Sequence, residues 1–427
     1  MKGLYSMKTA FETANILLPN KNIDIQKWSV IACDQFTYEL DYWKDVENIS
    51  NGEKSTINLI LPEVYLNDDN CNQRIKNINS NMKEYLQDNV LVEYKNSFVY
   101  VERIQSDGKK RCGLVGKIDL EKYDYNKGST SQVRATEATV IERIPPRLKV
   151  RKDAPIELTH IMILIDDTSK TVIEPIADKK SSLKKLYDTD LMKNSGHITG
   201  YLIDSLELQN QIDDALYNLL EQNSKKYNLP KDEVLLYAMG DGNHSLATAK
   251  ENYERLKREN PNVDLSNHPS RYALVEIVNL HSDALEFEAI HRIVSNVNVS
   301  DLLSKMNDVL KTSKEGSSDM QKFSYVVDGV ENTLYIKNPI SNLTVGSLQS
   351  FLDDYLKSNS GSIDYIHGKD AIFKLSKNSN SIGFILPDML KSELFPTVIK
   401  DGSLPRKTFS MGHAEDKRFY MECRAIV

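Results

Sequence analysis

The sequence predicts an α+β protein built from mixed or largely antiparallel sheets. Three observations carry that expectation. Helical patterns and strand-like runs interleave without a regular βα repeat. Two pairs of strand-like runs flank the turn signals Asp107-Gly108 and Asp166-Asp167-Thr168-Ser169. No Gly-x-Gly-x-x-Gly follows a strand, so a doubly wound dinucleotide fold has no signature here.

Helical spacing first shows at Asp41–Val46. Ile57–Leu61 is an apolar run of strand length that ends at Pro62-Glu63, and Asn72–Leu86 returns to helical spacing. Ser97–Arg103 and Cys112–Asp119 form the first hairpin; Thr159–Ile165 and Thr171–Ile176 form the second. Between them, Lys127–Arg151 is dense in charge. Arg134, Glu137 and Ile141 share one helical face, Ile144 continues it, and Pro145-Pro146 stops the helix. Further helical patterns cover Leu206–Gln222, Leu246–Arg258, Asp301–Leu310 and Leu348–Leu356. Short strands are expected at Glu286–Glu288, before His291-Arg292, and at Arg418–Cys423. Joints are expected at Lys225–Asp232, Glu259–His268 and the polar Lys311–Gln321, and the chain divides into regions 1–125, 126–295 and 296–427.

Composition narrows the function classes. A chain of 427 residues with 40% hydrophobic residues has room for two or three domains with sizeable cores. The net charge of −7 argues against nucleic acid as the main partner. No window approaches the roughly 18 apolar residues of a membrane span, and Met1–Asn20 lacks the apolar run of a signal peptide. Cys33, Cys71, Cys112 and Cys423 lie far apart with no Cys-x-x-Cys pair, which fits reduced thiols and a cytoplasmic protein. His-Glu-x-x-His and Gly-x-Ser-x-Gly are absent, and Lys127-Gly128-Ser129-Thr130 has the wrong order for a P-loop.

The densest chemical signal is residues 234–245. The apolar run Val234-Leu-Leu-Tyr-Ala-Met239 meets Gly240-Asp-Gly-Asn-His-Ser245, and Leu246, Ala249, Tyr253 and Leu256 then follow one helical face. Strand, tight turn and helix N-terminus bring unpaired amides and the positive end of the helix dipole together, an arrangement that suits an anion. The same turn also serves as an ordinary joint, since an Asp or Asn cap alone is worth about 1 kcal/mol. Arginines 134, 143, 147 and 151 offer planar forks for phosphate or carboxylate. Arg406 and Lys407 follow a proline on a loop that could close over a polyanion.

These residues resemble a known family nearly end to end: the bacterial domain of unknown function 1015. The likeness rests on Cys33-Asp-Gln-Phe-Thr37 with Asn58-Leu-Ile-Leu-Pro-Glu63, on Arg134-Ala-Thr-Glu-Ala-Thr139 through Arg147, on residues 239–250 and on Leu404-Pro-Arg-Lys-Thr-Phe409. Its Asp-Gly-x-His turn is similar to that of ParB/sulfiredoxin-like proteins, some of which are kinases for free L-serine, and a core of that kind is implied. Many members carry Asp-Gly-His-His-Arg, whereas Asp241-Gly242-Asn243-His244-Ser245 lacks the arginine.

The resemblance implies phosphoryl transfer from ATP or ADP to the hydroxyl of a small metabolite, L-serine first. Gly240, Gly242, Asn243 and Ser245 would cradle phosphates, Asp241 would hold Mg²⁺ and His244 would donate to a phosphate oxygen. Glu63 is the expected acceptor of the substrate proton. Arg134, Arg143 or Lys407 would supply the missing charge, and Glu137 would orient Arg134 or bind the amino group of serine. Two other readings stay open: a nucleotide-binding regulator without turnover, and a phosphate-ester hydrolase.

Overall fold

The computed structural model describes residues 8–139 and 141–427. The first seven residues of the Met1–Asn20 stretch, and Val140 within the charged segment, lie outside the described residues. The chain forms two compact units. The first holds residues up to Ala135, Thr139–Leu285 and His413–Val427; the second holds Thr136–Ala138 and Glu286–Gly412. The expected regions 1–125 and 126–295 thus pool most of their residues in one unit, to which the C-terminal segment returns.

A mixed sheet of thirteen strands among the described residues organises the first unit. Its longest strands, β1 (Leu91–Ile104) and β2 (Lys110–Asp119), are the hairpin expected across Asp107-Gly108. Alternation explains their central place. Phe98, Tyr100 and Leu114 face one core, while Val99, Val101 and Val115 face another. Four strands follow in the chain: β3 (Val133–Arg134), β4 (Met162–Ile165), β5 (Tyr237–Asp241) and β6 (Tyr272–Asn279). In space the order is β3–β5–β4–β6–β2–β1. The β3/β5 and β4/β6 pairs are parallel and the other neighbours antiparallel.

Among the described residues five longer helices belong to this unit: α1 (Leu40–Ile49), α2 (Cys71–Gln87), α3 (Ile144–Arg151), α4 (Leu206–Tyr227) and α5 (Asn243–Glu259). All but α3 lie where apolar spacing puts them. Helix α4 shows why: Ser205 caps its start, Asn228 ends it in a left-handed conformation with φ 53°, and Ile212, Leu216 and Leu219 enter one core.

Three expected elements are corrected. The Ile57–Leu61 run is no strand; Thr56–Leu59 coils as a 3-10 turn, with Ser55 accepting from the Ile57 amide. Short apolar runs fit either form, and the local cap decides. Thr171–Ile176 does not complete a hairpin, because the Asp167 carboxylate accepts from the amides of Thr171 and Val172 and bends the chain into the short helix Glu174–Ala177. Pro145-Pro146 starts a helix rather than stopping one. Arg134 lies in β3, and the prolines occupy the opening positions of α3, where no amide partner is needed.

In the second unit β7 (Phe287–Ser295) lies between Ser362–His367 and Ser381–Ile385 in a seven-stranded sheet among the described residues. Helices α6 (Val299–Leu310) and α7 (Thr344–Ser358) match their patterns. Met411, near the end of this unit, pairs with Phe287 near its start. The Lys311–Gln321 joint is a largely exposed loop inside this unit, and Lys225–Asp232 and Glu259–His268 lie inside the first.

Candidate active site

The turn from β5 to α5 is built by burial on one side and conformational freedom on the other. Residues 234–239 are wholly buried, which makes the segment a rigid lead-in. Its pairing with β4 shifts register between Met239 and Asp241. Gly242 adopts φ 81°, and a β-carbon there would stand 3.1 Å from Ile161 Cα, so only glycine fits the corner without strain. Asp241 Oδ1 accepts from the Gly242 amide at 2.9 Å. No side chain caps α5, and its first turn carries no acidic residue. The positive dipole end at this start suits an anion.

Ser245 and Thr248, one turn apart on α5, form one wall of a cavity. Glu63, Arg147, His160, Tyr420 and Cys33 line it as well, with an apolar floor of Leu59, Ile60, Leu61 and Val150. Glu63 opens the 3-10 turn Glu63–Tyr65, and its amide donates to the Cys33 carbonyl at 2.8 Å. Its carboxylate pairs with the Arg147 guanidinium, whose other nitrogen donates to the Arg143 carbonyl at 2.7 Å. Segments far apart along the chain thus meet the helix start.

Beside that pair lies a second polar group. His160 Nε2 stands 3.1 Å from Ser245 Oγ and 3.7 Å from Asp34 Oδ2, while Nδ1 stands 2.9 Å from the Tyr420 hydroxyl. Lys417 Nζ lies 3.4 Å from Asp241 Oδ2. Burial works to raise the Asp34 carboxyl, but the charges of His160, Lys417 and Arg147 and a hydrogen bond from Gln35 hold it below the usual aspartate range. Burial, followed by the nearby Asp34 charge, pushes the Cys33 thiol up to about 12, which leaves it inert as a nucleophile.

The expected site residues divide. Glu63 and Ser245 line one cavity, with Asp241 and Gly242 at the turn beside it. Asn243 and His244 open α5 but are not among the cavity walls; the His244 carbonyl accepts from Thr248. Gly240 sits at the register shift. Arg134 is spent elsewhere: buried in β3, its guanidinium donates to the carbonyls of Ser131 and Glu233. Arg143 is exposed, and its carbonyl accepts from Arg147. Glu137 and Lys407 meet in the second unit, where burial raises the Glu137 carboxyl against the pull of Lys407 and two backbone amides.

Asp34, His160, Lys417 and Tyr420 are not singled out by the sequence, and Arg147 stands there only as one of four arginines suited to phosphate or carboxylate, with no role in the site. Asp34 and Arg147 do stand inside the passages that carry the family likeness, a signal that could have found them. His160 and Tyr420 carry no local pattern at all. Among the described residues no group of three or more metal-ligating side chains converges. Asp241 is a lone carboxylate beside a lysine, which fits Mg²⁺ only where phosphate oxygens and water complete the shell. No helix among the described residues is long and apolar enough to cross a membrane.

Comparison with known proteins places the chain. It belongs to the family described as protein of unknown function, DUF1015, whose profile matches residues 17–355. No curated protein matches its sequence. Among solved structures, a conserved hypothetical protein from Pyrococcus furiosus is 10% identical with a TM-score of 0.36, covering 71% of this chain and 93% of its own. A free serine kinase in complex with AMP is 11% identical with a TM-score of 0.38, covering 72% and 90%. SbnI from Staphylococcus aureus, C-terminally truncated, is 8% identical with a TM-score of 0.36, covering 70% and 82%. Superpositions this loose leave function to the site itself.

Proposed function

We propose that this protein transfers a phosphoryl group from ATP or ADP to a hydroxyl of a small metabolite, with free L-serine the first acceptor to test. The observation that carries the reading is the meeting of an uncapped helix start with a paired Glu63 and Arg147 across one cavity. Phosphoryl transfer asks for positioning and charge neutralisation more than covalent work by the protein.

In this reading the amides at Asn243 and Ser245 and the hydroxyl of Ser245 hold phosphate oxygens. Arg147 and Lys417 take the charge-offsetting part expected of Arg134, Arg143 or Lys407. Three carboxylates, Asp34, Glu63 and Asp241, stand near those two basic side chains. A polyphosphate therefore enters well only with a divalent cation. Mg²⁺, held by Asp241 and phosphate oxygens, supplies that neutralisation when bound. The incoming phosphate competes for Arg147 and so frees Glu63. Glu63 then accepts the acceptor's hydroxyl proton as the new O–P bond forms and the bridging P–O bond of the donor breaks.

One observation favours a regulator without turnover: Glu63 is already neutralised by Arg147. The deciding experiment incubates purified protein with ATP or ADP, Mg²⁺ and L-serine, then a panel of hydroxy amino acids and sugars, and seeks phosphorylated product by mass. Product supports the kinase. Nucleotide binding with no product across the panel supports the regulator, and phosphate release without an acceptor supports a hydrolase.

A further inference from the structure

Tyr420, His160 and Ser245 form a chain of hydrogen bonds whose direction can be derived. The Tyr420 hydroxyl lies 3.3 Å from the Cys33 amide nitrogen and 2.9 Å from His160 Nδ1. A backbone amide only donates, so it occupies a lone pair of the phenol oxygen. The phenol proton then goes to the best acceptor in reach, and an imidazole nitrogen outranks the weakly accepting Cys33 sulfur. With Nδ1 accepting, the ring proton sits on Nε2. Asp34 Oδ2, 3.7 Å from Nε2, favours the same tautomer. Nε2 in turn donates to Ser245 Oγ at 3.1 Å. The serine's own proton is thereby left to turn into the cavity that both residues line.

We propose that Tyr420 and His160 are positioning residues that commit Ser245 to act as a hydrogen-bond donor toward an oxyanion in the cavity. A group carrying only lone pairs at that point is selected, and in the kinase reading it is a phosphoryl oxygen of the nucleotide. The identity of that oxygen rests on the kinase reading; the direction of the chain does not. The His160 side chain is 6% exposed and Tyr420 is 3% exposed, so water is kept from scrambling the relay. The opposite direction, with a bare Nε2, would make Ser245 a base-activated nucleophile. The geometry therefore chooses between two chemistries for one serine.

NMR of the ring nitrogens in the full-length protein tests this, with His160→Gln used to assign the signals. A protonated Nε2 and a bare Nδ1 near neutral pH are expected; the reverse overturns the proposal. Calorimetry with ADP and Mg²⁺ gives the second arm. Replacing His160 by Leu, or Tyr420 by Phe, weakens binding about tenfold, the scale of one lost hydrogen bond to a charged group. His160→Gln places an amide nitrogen near the Nε2 position and keeps affinity within about threefold. Equal losses in Gln and Leu, or none in Leu, overturn the donor role, and thermal unfolding of each variant excludes misfolding. If the wild type takes up no ADP the kinase reading falls, and the ring nitrogens still decide the relay.

Discussion

Two guanidinium–carboxylate clusters in the first unit use the same chemistry to different ends. Arg418 donates to Glu276 at 2.6 Å, to Glu422 at 2.7 Å and to the carbonyls of Thr159 and Phe419 at 2.9 and 3.1 Å. It is 1% exposed, and each of its three nitrogens has a partner. Arg147 holds one carboxylate, that of Glu63, and both side chains are about one-sixth exposed, 17% and 16%. A saturated fork has nothing left for a ligand and fastens the C-terminal segment to the sheet. A half-filled fork on a cavity wall can change partners. Completeness of hydrogen bonding, rather than residue type, separates scaffold from site.

The contrast can be broken most directly at Arg418. Arg418→Met leaves Glu422 buried without its cation and Glu276 with only the more distant Arg111 at 3.9 Å, and urea unfolding is expected to show a loss of about 3–5 kcal/mol. A loss below about 1 kcal/mol would erase the distinction between the clusters. Glu63→Gln is expected to do the reverse. Turnover falls by about a hundredfold or more while ADP affinity stays nearly constant and stability drops less than at Arg418, since the glutamine amide oxygen can still accept from Arg147. Unchanged turnover removes Glu63 from the base role. Asp241→Asn is expected to abolish turnover and the Mg²⁺ dependence of ADP binding while the fold persists, its hydrogen bond from the Gly242 amide being worth about 1 kcal/mol. Wild-type activity in that variant refutes the metal assignment.

Smaller effects sharpen the picture. Arg147→Ala should raise the ADP dissociation constant about tenfold, the scale of a charge-assisted hydrogen bond to phosphate, with calorimetry as the measure. Asp34 sits lower than the ordinary aspartate value of 3.8 in the folded protein, so its stabilising contribution is full above that value. It drains away as the pH falls through the depressed folded value. Asp34→Asn should flatten that acid limb of the stability curve, and an unaltered limb assigns the acid sensitivity to other carboxylates.

Much of this could be seen in the residues alone, for identifiable reasons. The β5–α5 corner was legible because the period of apolar residues changes where two glycines and two polar residues intervene. Hairpin β1–β2 was legible from Asp107-Gly108 between alternating runs. Glu63 was found in spite of a wrong element, since Pro62 marks a chain end whichever way the preceding run folds. Pro145-Pro146 misled because proline both closes and opens helices, and only the fate of Arg134 tells which. Lys417, His160 and Tyr420 were illegible: each is a single residue, and the contact from Tyr420 to His160 spans 260 positions. Local pattern carries no information across that distance.

The pairing of Phe287 with Met411 has a consequence for how such a chain can be altered. The second unit leaves and rejoins its host through neighbouring points on one ladder. It is a cassette inserted into a fold that closes only afterwards, with Lys417 and Tyr420 supplied by the returning tail. An engineer could excise that cassette with a tight linker across its neck and a repair at residues 136–138. A nascent chain still lacking the tail, by contrast, holds an unfinished pocket.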